Sequence, residues 1–201
     1  YKAEKRFEDA VQCFEHALSI QPDAGAIHSN LGTVYNAWGR PDEAAQCFRR
    51  ALECIPDHPE LLGNLGNSLL AGDHHDEAIA AFARAVEIDP GHVRARANMG
   101  VALTEQGRLA EAADALSAAI AHDPEYADAH WNLGLTQLQA GDYDNGWFEY
   151  EWRRRLPNFA MRHPEGPAWD GKDMAGTLLV HAEQGLSDSI LFGRYLAELP
   201  A

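Results

Sequence analysis

The chain has 201 residues, 46% hydrophobic but only 9% aromatic. That balance suits an Ala- and Leu-rich helical protein better than a β-protein, which draws on β-branched and aromatic residues. Its 31 acidic against 16 basic residues give a formal charge of −15, a field that repels nucleic acid and anionic membranes. No apolar run approaches the roughly 18 residues of a transmembrane helix, so neither nucleic acid nor membrane is an expected partner. The charged opening Tyr1-Lys-Ala-Glu-Lys-Arg lacks the apolar core of a signal peptide and an initiator Met, which reads as a cytoplasmic segment of a longer protein. Cys13, Cys47 and Cys54 are odd in number and lack CxxC spacing. The expectation is small, half-buried helix residues in a reducing compartment.

Taken in chain order, the helical pattern repeats. Asn30-Leu31-Gly32 recurs as Asn64-Leu65-Gly66, Asn98-Met99-Gly100 and Asn132-Leu133-Gly134, each step being 34 residues. The same step relates Ala10, Ala44, Ala78 and Ala112, then Phe14, Phe48, Phe82 and Leu116, then Ala17, Ala51, Ala85 and Ala119. It also relates Pro22, Pro56, Pro90 and Pro124. Gly32 and its equivalents lie inside helices, where glycine costs about 1 kcal/mol against alanine, so a neighbouring helix is expected to approach closely there. The Phe column is expected to fill the gap between repeats. Gly39, Gly72, Gly107 and Gly141 are expected to end the first helix of each pair, and the Pro column the second.

This pattern resembles the tetratricopeptide repeat, over residues 1 to about 158. The resemblance implies an all-α, right-handed superhelix of helix pairs, an α-solenoid. A half repeat covers 1–24, with Tyr1 part-way along a first helix. Complete repeats follow at 25–58, 59–92 and 93–126, then a modified repeat at 127–158. Position four of the motif, often Trp in that family, is here His28, Leu62, Arg96 and His130.

Each repeat relies on its neighbours to bury its apolar face, and the first helices are expected to line the inside of a curve. The candidate peptide-binding residues on that face are Asn30, Thr33, Asn36, Asn64, Asn67, Asn98, Val101, Asn132 and Leu135. Asn30, Asn64, Asn98 and Asn132 form a ladder of amides, each both donor and acceptor, suited to an extended peptide backbone. A similar ladder lines the superhelix of the O-linked N-acetylglucosamine transferases. The alternative reading of the same column is a plain solvated face. The ten histidines show no HxxxH or HExxH spacing, so they read as solvated or capping, with no metal and no cofactor expected.

In the fifth repeat Gly146 stands in the Ala column and Tyr150 in the Phe column, within an aromatic run ending in Arg153-Arg154-Arg155. Trp147, Tyr150 and Trp152 are expected to cover the end of the stack and dock a following unit. The arginines read as a solvated helix end, or as partners of the acidic array or of a phosphate. A Pro- and Gly-rich linker is expected at 159–176, then a strand, loop and helix at 177–201. Residues 147–200 resemble the junction in bacterial tetratricopeptide-repeat proteins that carry a glycosyltransferase-like domain related to the heptosyltransferase class. The resemblance implies a truncated Rossmann-like fragment and makes Asp188 the match to a proposed general base. On its own residue chemistry Asp188 reads first as a helix N-cap, and Ser187 departs from the glycine usual in that group.

The expected function is a protein-interaction scaffold holding an extended peptide or a partner protein, without catalysis in this chain. The alternative is the substrate-selecting portion of a bacterial glycosyltransferase, inactive as this fragment. A further expectation is self-association, with Val11, Phe14 and Leu18 left exposed by a cut first repeat for a second copy to cover.

Overall fold

The computed structural model describes the backbone of residues 2–157 and side chains from Glu4 onward. The expected linker at 159–176 and the strand–loop–helix at 177–201, Asp188 included, lie outside the described residues. Those described are helical, with no strand among them: α1 (Lys2–Ile20), α2 (Gly25–Ala37), α3 (Pro41–Cys54), α4 (Pro59–Ala71), α5 (His75–Ile88), α6 (Val93–Glu105), α7 (Leu109–His122), α8 (Ala127–Ala140) and α9 (Tyr143–Tyr150). A 3-10 helix, Glu151–Arg155, follows α9. Helices α2 and α3, α4 and α5, α6 and α7, and α8 and α9 form pairs. Each pair packs on the next through α3 and α4, α5 and α6, and α7 and α8. The first helices also touch one another, α4 with α6 and α6 with α8, and so form one layer.

The repeat columns become the core. Ala44, Ala51, Ala78, Ala85, Ala112 and Ala119 are fully buried, as are Phe82 and Leu116, with Phe48 only 1% exposed. A β-carbon at Gly32 would stand 2.9 Å from Phe48 Cζ, one at Gly66 2.5 Å from Phe82 Cε1, and one at Gly100 2.5 Å from Leu116 Cγ. The close approach expected at these glycines is therefore present. Phe48 and Phe82, however, do not sit only between repeats: each ring occupies the space a side chain at the glycine of its own pair would take. In the fifth repeat a β-carbon at Gly134 would face backbone, the Tyr150 nitrogen at 2.5 Å, and one at Gly146 would face both the side chain and the nitrogen of Leu138.

Helix ends follow the local chemistry. Pro41 and Pro59 open α3 and α4, where a missing N–H costs nothing. His58 and His92 cap α4 and α6, each accepting a main-chain N–H at Nδ1. Gly39, Gly107 and Gly141 adopt the left-handed conformation after α2, α6 and α8. After α4 the register differs from expectation. Gly72 keeps a negative φ of −96°, and Asp73, the residue 34 on from Gly39, takes the left-handed turn at φ 62°. Aspartate is among the few non-glycine residues that visit this region readily.

The amino-terminal end also departs from expectation. Lys2–Ile20 is one continuous helix, with no break between a first and a second helix of a half repeat. Val11 is only 7% exposed, and Phe14 and Leu18 are half-buried against the same core, because α2 covers this face of α1. The indole of Trp38 stacks on Phe7 of α1 at 6.0 Å between ring centres, which helps to seat α1. Those residues are thus not the open apolar face expected to draw a second copy. Cys47 is half-buried as expected, but Cys13 and Cys54 are exposed.

Candidate binding face on the first helices

The polar face of α2, α4, α6 and α8 is built from residues that point away from the glycine–phenylalanine core. Asn30 and Thr33 are exposed, Asn64, Asn67, Asn98, Val101 and Asn132 half-buried, and Leu135 is 37% exposed. All the sequence-derived candidates therefore fall on one layer of helices, although they differ in what their polar atoms already do.

Several are bonded between repeats. Asn36 Nδ2 donates to Ser68 Oγ at 2.9 Å, and Asn98 Nδ2 donates to Asn67 Oδ1 at 2.6 Å. Thr104 and Thr136 share a hydroxyl–hydroxyl bond of 2.8 Å. Ser68 and Thr136 are each 1% exposed, so these bonds satisfy groups that water does not reach. Asn132 Nδ2 turns back to Asp128 O at 2.8 Å, and Thr33 Oγ1 donates to Ser29 O at 3.1 Å. Among the described residues, the Asn30 and Asn64 side chains make no hydrogen bond.

Between α4 and α6 lies a small, shallow recess, open to solvent, lined by Asn64, Asn67, Asn98, Glu60, Arg94 and His92 among others. His92 is 8% exposed. Its Nδ1 accepts the Ala95 N–H at 3.2 Å, so the ring proton is carried on Nε2. Sequence reasoning read the histidines, His92 included, as solvated or capping and missed its second edge, because a cap is recognised from its position and the unbonded nitrogen only from the packing.

Elsewhere the histidines serve structure or solvent. His28 and His130 bond through Nε2 to the carbonyls of Pro22 and Pro124, at 2.8 and 3.0 Å, and Arg96 donates to Pro90 O at 2.8 Å. The motif position that departs from Trp thus ties three first helices to the preceding Pro turn. His130 also bonds Glu149 at 2.5 Å and lies flat on Trp152, 3.8 Å between ring centres. Trp152 and Tyr150 are half-buried at the end of the stack, whereas Trp147 is 54% exposed and Phe148 73%. The covering role expected of the aromatic run thus falls to two of its members.

The three arginines are not simply a solvated helix end. Arg153 is 8% exposed and bonded to Glu151 at 2.5 Å, Arg154 pairs with Glu151 at 2.8 Å, and Arg155 reaches Glu125 at 2.6 Å. On the second helices Arg49 pairs with Glu77, and Arg84 with Asp57 and Glu87. These exposed pairs are screened by solvent and contribute little to stability. No group of three or more potential metal ligands occurs among the described residues, and none of their helices is long and apolar enough to cross a membrane.

Three family models match the chain. One described as tetratricopeptide repeat matches residues 1–57 and 23–91, another of the same description 69–119, and one described as TPR repeat 100–141. Among solved structures, a MamA crystal structure is 20% identical with a TM-score of 0.69, covering 77% of this chain and 90% of its own. MamA 41-end from Desulfovibrio magneticus RS-1 is 19% identical, with a TM-score of 0.68 and coverage of 78% and 94%. YrrB, described as a TPR protein with an unusual peptide-binding site, is 25% identical with a TM-score of 0.64, covering 78% and 81%. No curated protein matches the chain significantly.

Proposed function

We infer, for a chain that carries tetratricopeptide repeats over residues 1–141, that it works as a protein-interaction scaffold whose first helices hold an extended peptide. The observation that carries this reading is the continuous polar layer of α2, α4, α6 and α8, with the Asn30 and Asn64 amides free to bond a ligand. Bonds between repeats hold the layer in one register, so a peptide lying along it meets a preorganised surface. That YrrB, a structural neighbour, is described as having a peptide-binding site supports the scaffold part of this reading. Asn98 takes part through its remaining acceptor, and Val101 and Leu135 offer apolar contact between the amides.

The acid surplus of the chain favours a partner that is neutral or basic rather than acidic. The test is peptide binding by Asn30→Ala, Asn64→Ala and the double variant, followed by fluorescence anisotropy with a neutral or basic peptide library. The double variant is expected to bind about tenfold more weakly, at about 1 kcal/mol for each lost bond or somewhat less, with an unchanged melting temperature. Equal affinity in all forms would overturn the assignment of these amides.

A further inference from the structure

We propose that the recess between α4 and α6 is an anchoring subsite for a neutral carbonyl, the main-chain amide of a bound peptide, with His92 Nε2–H as the donor. The inference rests on the peptide-binding reading above and adds a place and a chemistry to it.

His92 carries into this recess a polar atom that makes no hydrogen bond. Nε2 is buried and unbonded, with the exposed Glu60 carboxylate beside it, Oε1 at 3.5 Å. A buried donor left without a hydrogen bond is costly, so a group that fills this position gains more than an ordinary surface bond. Glycine at position 63 keeps the approach open: a β-carbon there would lie 3.5 Å from His92 Nε2.

The neighbouring groups match an amide rather than a carboxylate. Asn98 Nδ2 is spent on Asn67 Oδ1, which leaves Asn67 Nδ2 as a second donor and Asn98 Oδ1 as an acceptor on the same recess. Donors for a C=O beside an acceptor for an N–H are the complement of a peptide bond. Glu60 on α4 and Arg94 on α6 both line the recess. A ligand carboxylate brought to Nε2 would carry a full negative charge up to the Glu60 carboxylate, 3.5 Å from that nitrogen, whereas a neutral carbonyl brings only a partial one.

The test uses the 201-residue chain, a blocked neutral peptide (acetyl-(Gly-Ser)3-amide) and sodium acetate as separate titrants. The readouts are the His92 ring resonances and the affinity measured by calorimetry. His92→Asn keeps an oxygen able to accept the Ala95 N–H, and so keeps the cap, while its shorter amide leaves no N–H at the position of Nε2. The expected result is a saturable shift of the His92 ring with the peptide, little response to acetate, and about fivefold weaker peptide binding by His92→Asn. If His92→Asn unfolds, the ring shift in the unaltered chain decides. Shifts at Asn30 and Asn132 without any at His92, with equal binding by the variant, overturn the subsite and leave the groove reading standing. Absence of shifts along all four first helices overturns both. A response of His92 to acetate but not to the peptide overturns the neutral occupant in favour of a carboxylate.

Discussion

Gly66 and Phe82 share one space: a β-carbon on Gly66 would lie 2.5 Å from Cε1 of a phenylalanine ring that is fully buried. Alanine at 66 gains about 1 kcal/mol of helix propensity but overpacks the crossing by about 1–3 kcal/mol. Gly66→Ala is therefore expected to lower stability by up to about 2 kcal/mol in urea unfolding. In a Phe82→Ala background, where the ring is gone, the same change is expected to be neutral or stabilising. Equal costs in the two backgrounds would refute the pairing.

Gly134 makes the sharper case, because the obstacle is backbone. Its β-carbon would meet the Tyr150 nitrogen at 2.5 Å, so relief requires α9 to move bodily. Gly134→Ala is expected to cost more than Gly66→Ala. It is also expected to raise amide exchange across α9 while leaving α2–α5 protected.

Asn36 and Asn30, both on α2, separate stitching from binding. Asn36→Ala removes the donor to the buried Ser68 hydroxyl and is expected to destabilise by about 1 kcal/mol. Asn30→Ala is expected to leave the melting temperature unchanged, being exposed and unbonded among the described residues. Thermal melts of the two variants side by side check the contrast.

The thiols differ in a way a labelling experiment reads directly. Burial, with Glu43 and Glu15 adding, pushes the Cys47 thiol up to about 11, whereas Cys13 and Cys54 are exposed. At pH 8 two thiols are expected to react quickly with a disulfide reagent and the third at least tenfold more slowly, rising to join them only on unfolding.

His75 bonds the Asp73 carbonyl and Glu105, both at 3.0 Å, and these acceptors raise its pKa above the ordinary 6.5, the backbone bond contributing most. A raised folded value means that its stabilisation is complete below the ordinary pKa and disappears as pH rises through the raised one. Glu105→Gln is expected to bring the His75 midpoint down in an NMR titration.

Much of this fold was legible because the repeat exposes its own core. Columns 34 residues apart, such as Phe48 and Phe82, report one packing environment seen twice. The polar face was less legible for a geometric reason. Contacts across neighbouring first helices join residues 31 or 32 apart, as in Asn67–Asn98 and Asn36–Ser68, and so never fall in a repeat column. The Asn column read as four equivalent amides, yet Asn98 and Asn132 are already bonded while Asn64 is not. The turn at Asp73 was missed for a related reason: glycine at 72 drew attention from the aspartate that keeps the register. The second edge of His92 has no sequence signature at all.

The most direct test of the central claim, that the first helices hold an extended peptide, is backbone amide shift mapping with a bound peptide. The account predicts perturbations confined to α2, α4, α6 and α8, strongest around Asn30, Asn64 and Asn98. Perturbations centred on the second helices α3, α5 and α7, with those positions unchanged, would contradict it.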